Sequence, residues 1–427
     1  GNQLDINNIQ SLNELSKLED YDPRSLPVQQ AREYILKFLA PVKATEMLPI
    51  IKSLGRVVAS DVLSPINVPP HNNSAMDGYA IKSSDLNGER ETRLKVVGKA
   101  FAGNPFLGDT APGEAVRIMT GAVVPKNLDT VVMQENVELQ EEEIIINNRI
   151  TKGTNTRNAG EDLQKGKIAI EKGKLIRPGD MGLLASLGIP TVEVFRKIKV
   201  VFFSTGDELV GVGEKLGIGQ IYDSNRYTLH GLLERLGCDI TDMGVIKDEK
   251  ESVENALLEA SASADVIITT GGVSVGEADY IKEILDKLGQ VLFWKIAMKP
   301  GRPLAYGKIN GCHFFGLPGN PVSVVVTFYQ FVQNALKILQ GENQARGQPI
   351  QKIKSGERIR KIPGRTEYQR GIISFENGEW IVKTTGDQGS GILSSVSQAD
   401  CFIILDATEE TIETGDYVSV QILEGLV

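Results

Sequence analysis

The stretch FWKIAMKPGRPLAYG, residues 293–307, sets Lys295, Lys299 and Arg302 around a Pro-Gly break in an otherwise mostly apolar run. Two lysines four apart point to one face of a strand. At roughly 8 Å and an effective dielectric near 20 they repel by about 2 kcal/mol. An anion between them reverses that sign, so the segment reads as a seat for phosphate or an oxyanion of similar shape. The cations stand out because the chain is acidic, with 46 Lys+Arg against 55 Asp+Glu and a net charge of -9.

Carboxylates and glycines stand at related places. Glu208 follows VVFFST, Asp248 follows DMGVIK, and Asp279 closes TTGGVSVGEAD. Each acid alone reads as a cap or a solvated loop residue. Converging, the three repel unless a cation joins them, and an oxygen-only donor set suits Mg²⁺, which works with substrate phosphates. Gly271 and Gly272 let backbone amides approach an anion, and the helix that follows offers its N-terminus to it. PGNPVS repeats the device, with Asn320 as N-cap and Pro321 at the first helical position. Neither G-x-G-x-x-G nor G-x-x-x-x-G-K-[ST] occurs, which excludes a dinucleotide fingerprint and a P-loop. Elsewhere, PPHNNSAMDGYA gathers Asn72, Asn73, Ser74 and Asp77 in a prolyl turn, and IMTGAVVP supplies Thr120 and Gly121. Read alone, these are turn residues.

The elements that must position such loops follow from periodicity. Residues 194–344 alternate continuous apolar strands (KIKVVFFST, ITDMGVIK, DVIITTGG, VLFWKIAM, HFFGLP) with helices, which predicts a parallel-rich sheet covered on both faces. Ligands of such sheets bind beyond the C-terminal strand ends, near the switch point. That is where the acids, glycines and cations fall. Residues 46–152 read as short strands between Gly, Pro and Asn turns, an inserted small β domain. SLPVQQAREYILKFLAPV predicts a surface helix capped by Ser25, and RPGDMGLLASLG a second helix from Pro178 to Gly188. Residues 22–45 and 153–193 are therefore expected to form one discontinuous helix-containing domain. Residues 345–427 return to strands as a C-terminal β domain, and residues 1–21 read as an extension, helical or disordered. The fold class is multidomain α/β plus β, with a central doubly wound α/β domain.

A pI near 5.2 argues against a nucleic-acid partner. Three widely spaced cysteines give neither a disulfide framework nor a zinc site, which fits a reducing cytoplasm. No signal-peptide pattern opens the chain, and no run of roughly 18 apolar residues predicts a membrane span.

Taken in order, NSAMDGYA, IMTGAVVP, VVMQE, AGEDLQKGK, RPGDMGLLASLG, STGDEL, TTGGVSVGEADY, KIAMKPGRPLAYG and GLPGNPVSVVVTF resemble the MoeA family. These are molybdopterin molybdenumtransferases, with which the C-terminal domain of gephyrin belongs. The resemblance runs from about residue 27 to the C-terminus. It implies the last step of molybdenum cofactor synthesis: adenylylated molybdopterin is hydrolysed with Mg²⁺, molybdate enters the dithiolene, and AMP is released. It implies metal-site roles for Glu208, Asp248 and Asp279, and catalytic roles for Asp77 and Thr120. Substrate-binding roles are implied for Asp162, Gly271, Gly272, Ser274, Lys295, Lys299, Pro300, Arg302, Asn320, Arg370 and Ser390. It also implies a homodimer whose cleft is shared between chains. His71 and Asn72 stand where the family commonly has an aromatic and an Asp. A gephyrin-like scaffold and a tungstate-inserting homologue are the alternatives. Retention of the acids and lysines favours catalysis over the scaffold, and no residue separates tungstate from molybdate.

Overall fold

The computed structural model describes residues 6–88, 90–147, 149–272, 279–343 and 349–424. The chain divides into two compact units, one made of Gly1–Glu46, Gly55–Ala59 and Val194–Val427, the other of Met47–Leu54 and Ser60–Glu193.

The first unit is built on a six-stranded sheet of β1 (Lys199–Thr205), β2 (Asp239–Ile246), β3 (Val266–Thr270), β4 (Gly289–Lys295), β5 (Pro303–Ile309) and β6 (Cys312–Leu317), in the order β2-β1-β3-β6-β5-β4. β1 pairs in parallel with β2 and β3, and β3 with β6. β5 runs antiparallel to both of its neighbours. This strand, PLAYGKI, was not expected from the sequence. Its Pro303 faces Lys295 at the end of the ladder, where a missing amide donor costs least. The period of two in each strand feeds two cores. Val200, Phe202, Ile268 and Phe315 enter one with the helices Val28–Lys37, Asn225–Arg235 and Pro321–Leu339. Val201, Phe203, Ile267 and Phe314 enter the other with Lys250–Ser261 and Asp279–Leu288.

Pro321–Leu339 is long and apolar enough to cross a membrane, contrary to the sequence expectation, but 83% of its apolar window is buried as a core helix. It holds one wide turn, Phe328–Val332. There the Gln330 carbonyl accepts the Arg32 Nε–H at 3.0 Å, and the Gln330 amide reaches Gln421 Oε1 at 2.8 Å.

Two expectations change here. The helix near residue 30 starts after Pro27 rather than at a Ser25 cap, and it buries Val28, Ala31, Tyr34 and Ile35 in the first core. It therefore lies in a different unit from Pro178–Ser186, with which a shared domain was expected. The N-terminal stretch packs as well: Ile9, Leu12, Leu15 and Leu18 are buried in the same core. Their spacing of three is helical, and Ser11 caps the short helix Leu12–Leu15 by accepting the Glu14 amide.

Also in this unit, residues beyond 349 form a small barrel. Thr366–Glu376 pairs with Glu379–Thr384 and also with Cys401–Leu405, which closes the ring through Tyr417–Ile422 and Ile350–Ser355. The second unit carries a six-stranded sheet in the order Thr130–Met133, Gly78–Ile81, Glu114–Ile118, Thr92–Ala100, Glu143–Ile146, Glu138–Gln140. Its faces bury Ala80, Val116 and Val131 on one side and Tyr79, Ala115 and Val132 on the other.

Candidate active site

The loops after β1 and β3 leave the sheet where the strand order reverses, since β1 is followed by β2 on one side and β3 on the other. A cleft of about 870 Å³ opens there, and its described lining residues belong to the first unit. Its lining includes Glu208, Asp248, Gly271, Gly272, Lys299, Pro300, Arg302, Asn320 and Ser390, nine of the residues expected from the sequence.

The glycine loops are where backbone demands are strictest. Gly271 has φ +83, and a Cβ there would stand 2.7 Å from the Thr205 carbonyl oxygen. Its amide donates to the Leu317 carbonyl, tying the end of β3 to that of β6. The Pro318-Gly319-Asn320 loop passes so close that a Cβ on Gly319 would lie 3.7 Å from Gly271 Cα. Asn320 precedes Pro321 as expected but makes no side-chain cap hydrogen bond.

The cationic segment differs from its expected geometry. Lys295 ends β4, whereas Lys299 belongs to a separate short strand, Met298–Lys299, paired in parallel with the barrel strand Thr366–Glu376. A turn closed by the Met298 amide on the Ile296 carbonyl, 2.8 Å, separates them. The one-face spacing of an unbroken strand therefore does not apply. Of the two lysines, Lys299 lines the cleft and Lys295 does not.

Arg370 is 1% exposed. Its guanidinium donates to the Tyr368 carbonyl at 2.8 Å, the Gln388 carbonyl at 2.5 Å and Ser395 Oγ at 3.2 Å. Burial pulls its pKa down to about 10. It thus anchors the loop whose Gln388, Gly389 and Ser390 line the cleft.

Asp77 and Thr120 meet in the second unit: Asp77 Oδ1 accepts the Thr120 amide at 2.8 Å and its hydroxyl at 2.9 Å. The amide first, then the hydroxyl, hold the carboxyl below its ordinary range, with Arg117 adding a smaller pull. Asp162 sits on a different loop of this unit, its amide on the Val68 carbonyl. Asn72 accepts the Ala159 amide at 2.8 Å, which gives this departure from the family pattern a structural use.

Ser274 lies outside the described residues, and so does the side chain of Asp279, the first residue of its helix. Among the described residues no three His, Cys, Asp or Glu side chains gather as a metal cluster. Glu208 and Asp248 nevertheless share the cleft, and its described lining residues include no histidine or cysteine, a donor set for a hard cation. The three cysteines, Cys238, Cys312 and Cys401, are free and buried. Burial pushes the Cys238 and Cys401 thiols up to about 12.

The strand-end reading missed Asp223, which stands just before the helix Asn225–Arg235. Asp223, 1% exposed, lines the cleft and accepts the Arg226 Nε–H at 2.6 Å and the Asn225 amide at 3.2 Å. Asn225 donates to the Gly319 carbonyl at 2.9 Å. The signal was the Asp-Ser-Asn run, typical of a helix start. Arg365 and Asp387 also line the cleft, from loops of the barrel, and no strand-end rule points to them.

Three family profiles match the chain in order. They are the MoeA N-terminal region (domain I and II) over residues 26–188, a "Probable molybdopterin binding domain" over 201–338, and the MoeA C-terminal region (domain IV) over 352–423. The chain is 45% identical over 398 residues to a molybdopterin molybdenumtransferase of Haemophilus influenzae, covering 93% of this chain and 98% of the relative. It is 34% identical to gephyrin of Dictyostelium discoideum over 92% of its own length and 61% of that protein. A crystal structure of the molybdopterin biosynthesis moeA protein from Pyrococcus horikoshii superposes with a TM-score of 0.81. That pair is 30% identical, covering 93% of this chain and all of that one.

Proposed function

The chain belongs to the MoeA family, and we propose that it is a molybdopterin molybdenumtransferase acting on adenylylated molybdopterin and molybdate. The observation that carries the reading is the composition of the cleft, with Glu208 and Asp248 in the same lining as Lys299 and Arg302, around tight glycine loops. A phosphoryl group needs close backbone amides and charge neutralisation. A tetrahedral dianion needs cations. The cleft offers the cations, and glycine backbone that a phosphate can approach beside the Gly271 amide already held by Leu317.

In this reading, Gly271 and Gly272 let the adenylyl phosphate approach the backbone. Glu208 and Asp248, with Asp279 expected beside them, would hold a divalent cation such as Mg²⁺. When bound, that ion would withdraw charge from the phosphate oxygens and make AMP a better leaving group. Lys299, with Arg302 behind it, holds the incoming molybdate, and Arg370 keeps Ser390 in place through the loop it anchors. Water cleaves the phosphoanhydride to give AMP and the terminal phosphate. Molybdate exchanges oxygens for the two dithiolene sulfurs and releases water. Asp77 and Thr120 pair with each other in the second unit, and we assign them to the cleft of a second copy in a homodimer.

The test is incubation with adenylylated molybdopterin, Mg²⁺ and molybdate. AMP should appear together with a cofactor that activates an apo-molybdoenzyme, and chelation should stop both. AMP release unaffected by chelation, or none at all from folded protein, overturns the proposal. Tungstate in place of molybdate reads metal preference in the same assay.

A further inference from the structure

The family match begins at residue 26, yet the chain before it is built into the α/β unit. We propose that the N-terminal arm, residues 6–26, which ends on the first matched residue, is a positioning element for the cationic loop of the cleft. This rests on the proposed use of that loop for an oxyanion.

Two sets of contacts support it. The arm is anchored by Ile9, Leu12, Leu15 and Leu18 in the core that also contains Trp294, Ile296 and Met298. Tyr21 Oη accepts the Trp294 indole N–H at 3.1 Å. Beyond this anchor the backbone runs along the segment that leads into the loop. The Pro23 carbonyl accepts the Lys295 amide at 2.7 Å. Leu26 donates to the Lys295 carbonyl at 2.9 Å and accepts the Ala297 amide at 2.7 Å. Leu26 and Ile296 form a parallel bridge. From the other side the Ala297 carbonyl accepts the Thr366 amide at 3.0 Å. The residues just before Lys299 are thus held between the arm and the barrel.

The arm also reaches a cleft side chain. Arg302 Nη2 donates to the Arg24 carbonyl at 3.3 Å, and the Ile296 amide donates to the Arg302 carbonyl at 2.6 Å. One guanidinium nitrogen thus meets the arm, in an exposed contact, while the residue lines the cleft. A guanidinium tethered this way has less side-chain freedom to lose when an oxyanion meets its remaining donors.

The experiment undocks the arm in the full chain with Leu12→Asp/Leu15→Asp, which puts two carboxylates against the apolar core. Hydrogen exchange is read at the Lys295 and Ala297 amides, and the molybdate concentration for half-maximal transfer is measured. The expected result is lost protection at those two amides with β1 protection kept. The molybdate requirement should rise by about tenfold at little change in kcat, roughly as for loss of one charge-assisted contact. Arg302→Ala should give a similar rise and add little in the undocked background, since both act through one guanidinium. Retained protection, unchanged molybdate dependence or full additivity overturns the proposal. Should the variant not fold, wild-type exchange decides. The Lys295 and Ala297 amides should open together with the Leu15 and Leu18 amides. Arm amides exchanging on the order of a hundredfold faster would show that the loop does not depend on the arm. A protein inactive with every oxyanion refutes the transferase reading and leaves the exchange result standing.

Discussion

Lys299 shares a cleft with Glu208 and Asp248, and its value depends on an anion arriving there. A charge-assisted hydrogen bond to an oxyanion contributes roughly 1.5–3 kcal/mol. Lys299→Ala is therefore expected to raise the molybdate needed for half-maximal transfer by about ten- to a hundredfold. High molybdate should rescue it, and sulfate should compete in the wild type. Arg370 makes a different prediction. Arg370→Leu leaves the Tyr368 and Gln388 carbonyls without their donor, at a cost of roughly 2–5 kcal/mol. The urea midpoint should fall accordingly. Arg370→Lys should recover only part, because one ammonium does not reproduce a planar fork.

The strand-end loops give a paired prediction at the scale of elements. Gly271→Ala forces a Cβ to 2.7 Å from the Thr205 carbonyl at positive φ, whereas at Gly319 the added methyl meets ordinary contact at 3.7 Å. The first should cost roughly 1–3 kcal/mol in strain; the second should leave the thermal midpoint nearly unchanged. His313 on β6 sets a pH dependence. Burial first, then Lys308, pull its pKa from 6.5 to about 4. The unfolded chain therefore takes up this proton before the folded one. Stability should be fully present above pH 6.5 and fall as pH drops toward 4, by about 3 kcal/mol from this residue. His313→Gln should flatten urea midpoints over that window. These elements also show what could be read in advance. Glu208, Asp248, Gly271 and Lys299 were legible because apolar strands mark their own ends, and loops beyond the ends converge. The break between Lys295 and Lys299 was not, because it depends on pairing with a strand near residue 366. Nor was the burial of Arg370, whose partners are backbone carbonyls that any sequence supplies. The arm was hidden because its few apolar residues, Ile6, Ile9, Leu12, Leu15, Leu18 and Tyr21, do not declare a partner.

The whole molecule raises the question of whether Asp77 and Thr120, which pair with each other in the second unit, take part in the cleft's chemistry. If a homodimer shares its clefts, Asp77→Ala and Asp279→Ala chains, each inactive, should complement on mixing. Random exchange makes about half the dimers mixed, each with one intact cleft, so activity should approach roughly a quarter of wild type. Chain exchange without recovery removes Asp77 from the shared cleft. The cysteines carry a further consequence for the chemistry passing through it. The substrate of the proposed reaction bears a pair of soft sulfurs that must meet metal rather than protein. A thiolate nearby would compete with them for the molybdenum. All three thiols are buried away from the cleft lining, two of them protonated far above neutral pH. The chamber is thus chemically silent toward sulfur. Iodoacetamide should leave the native protein unlabelled and fully active, and label all three positions once it is unfolded.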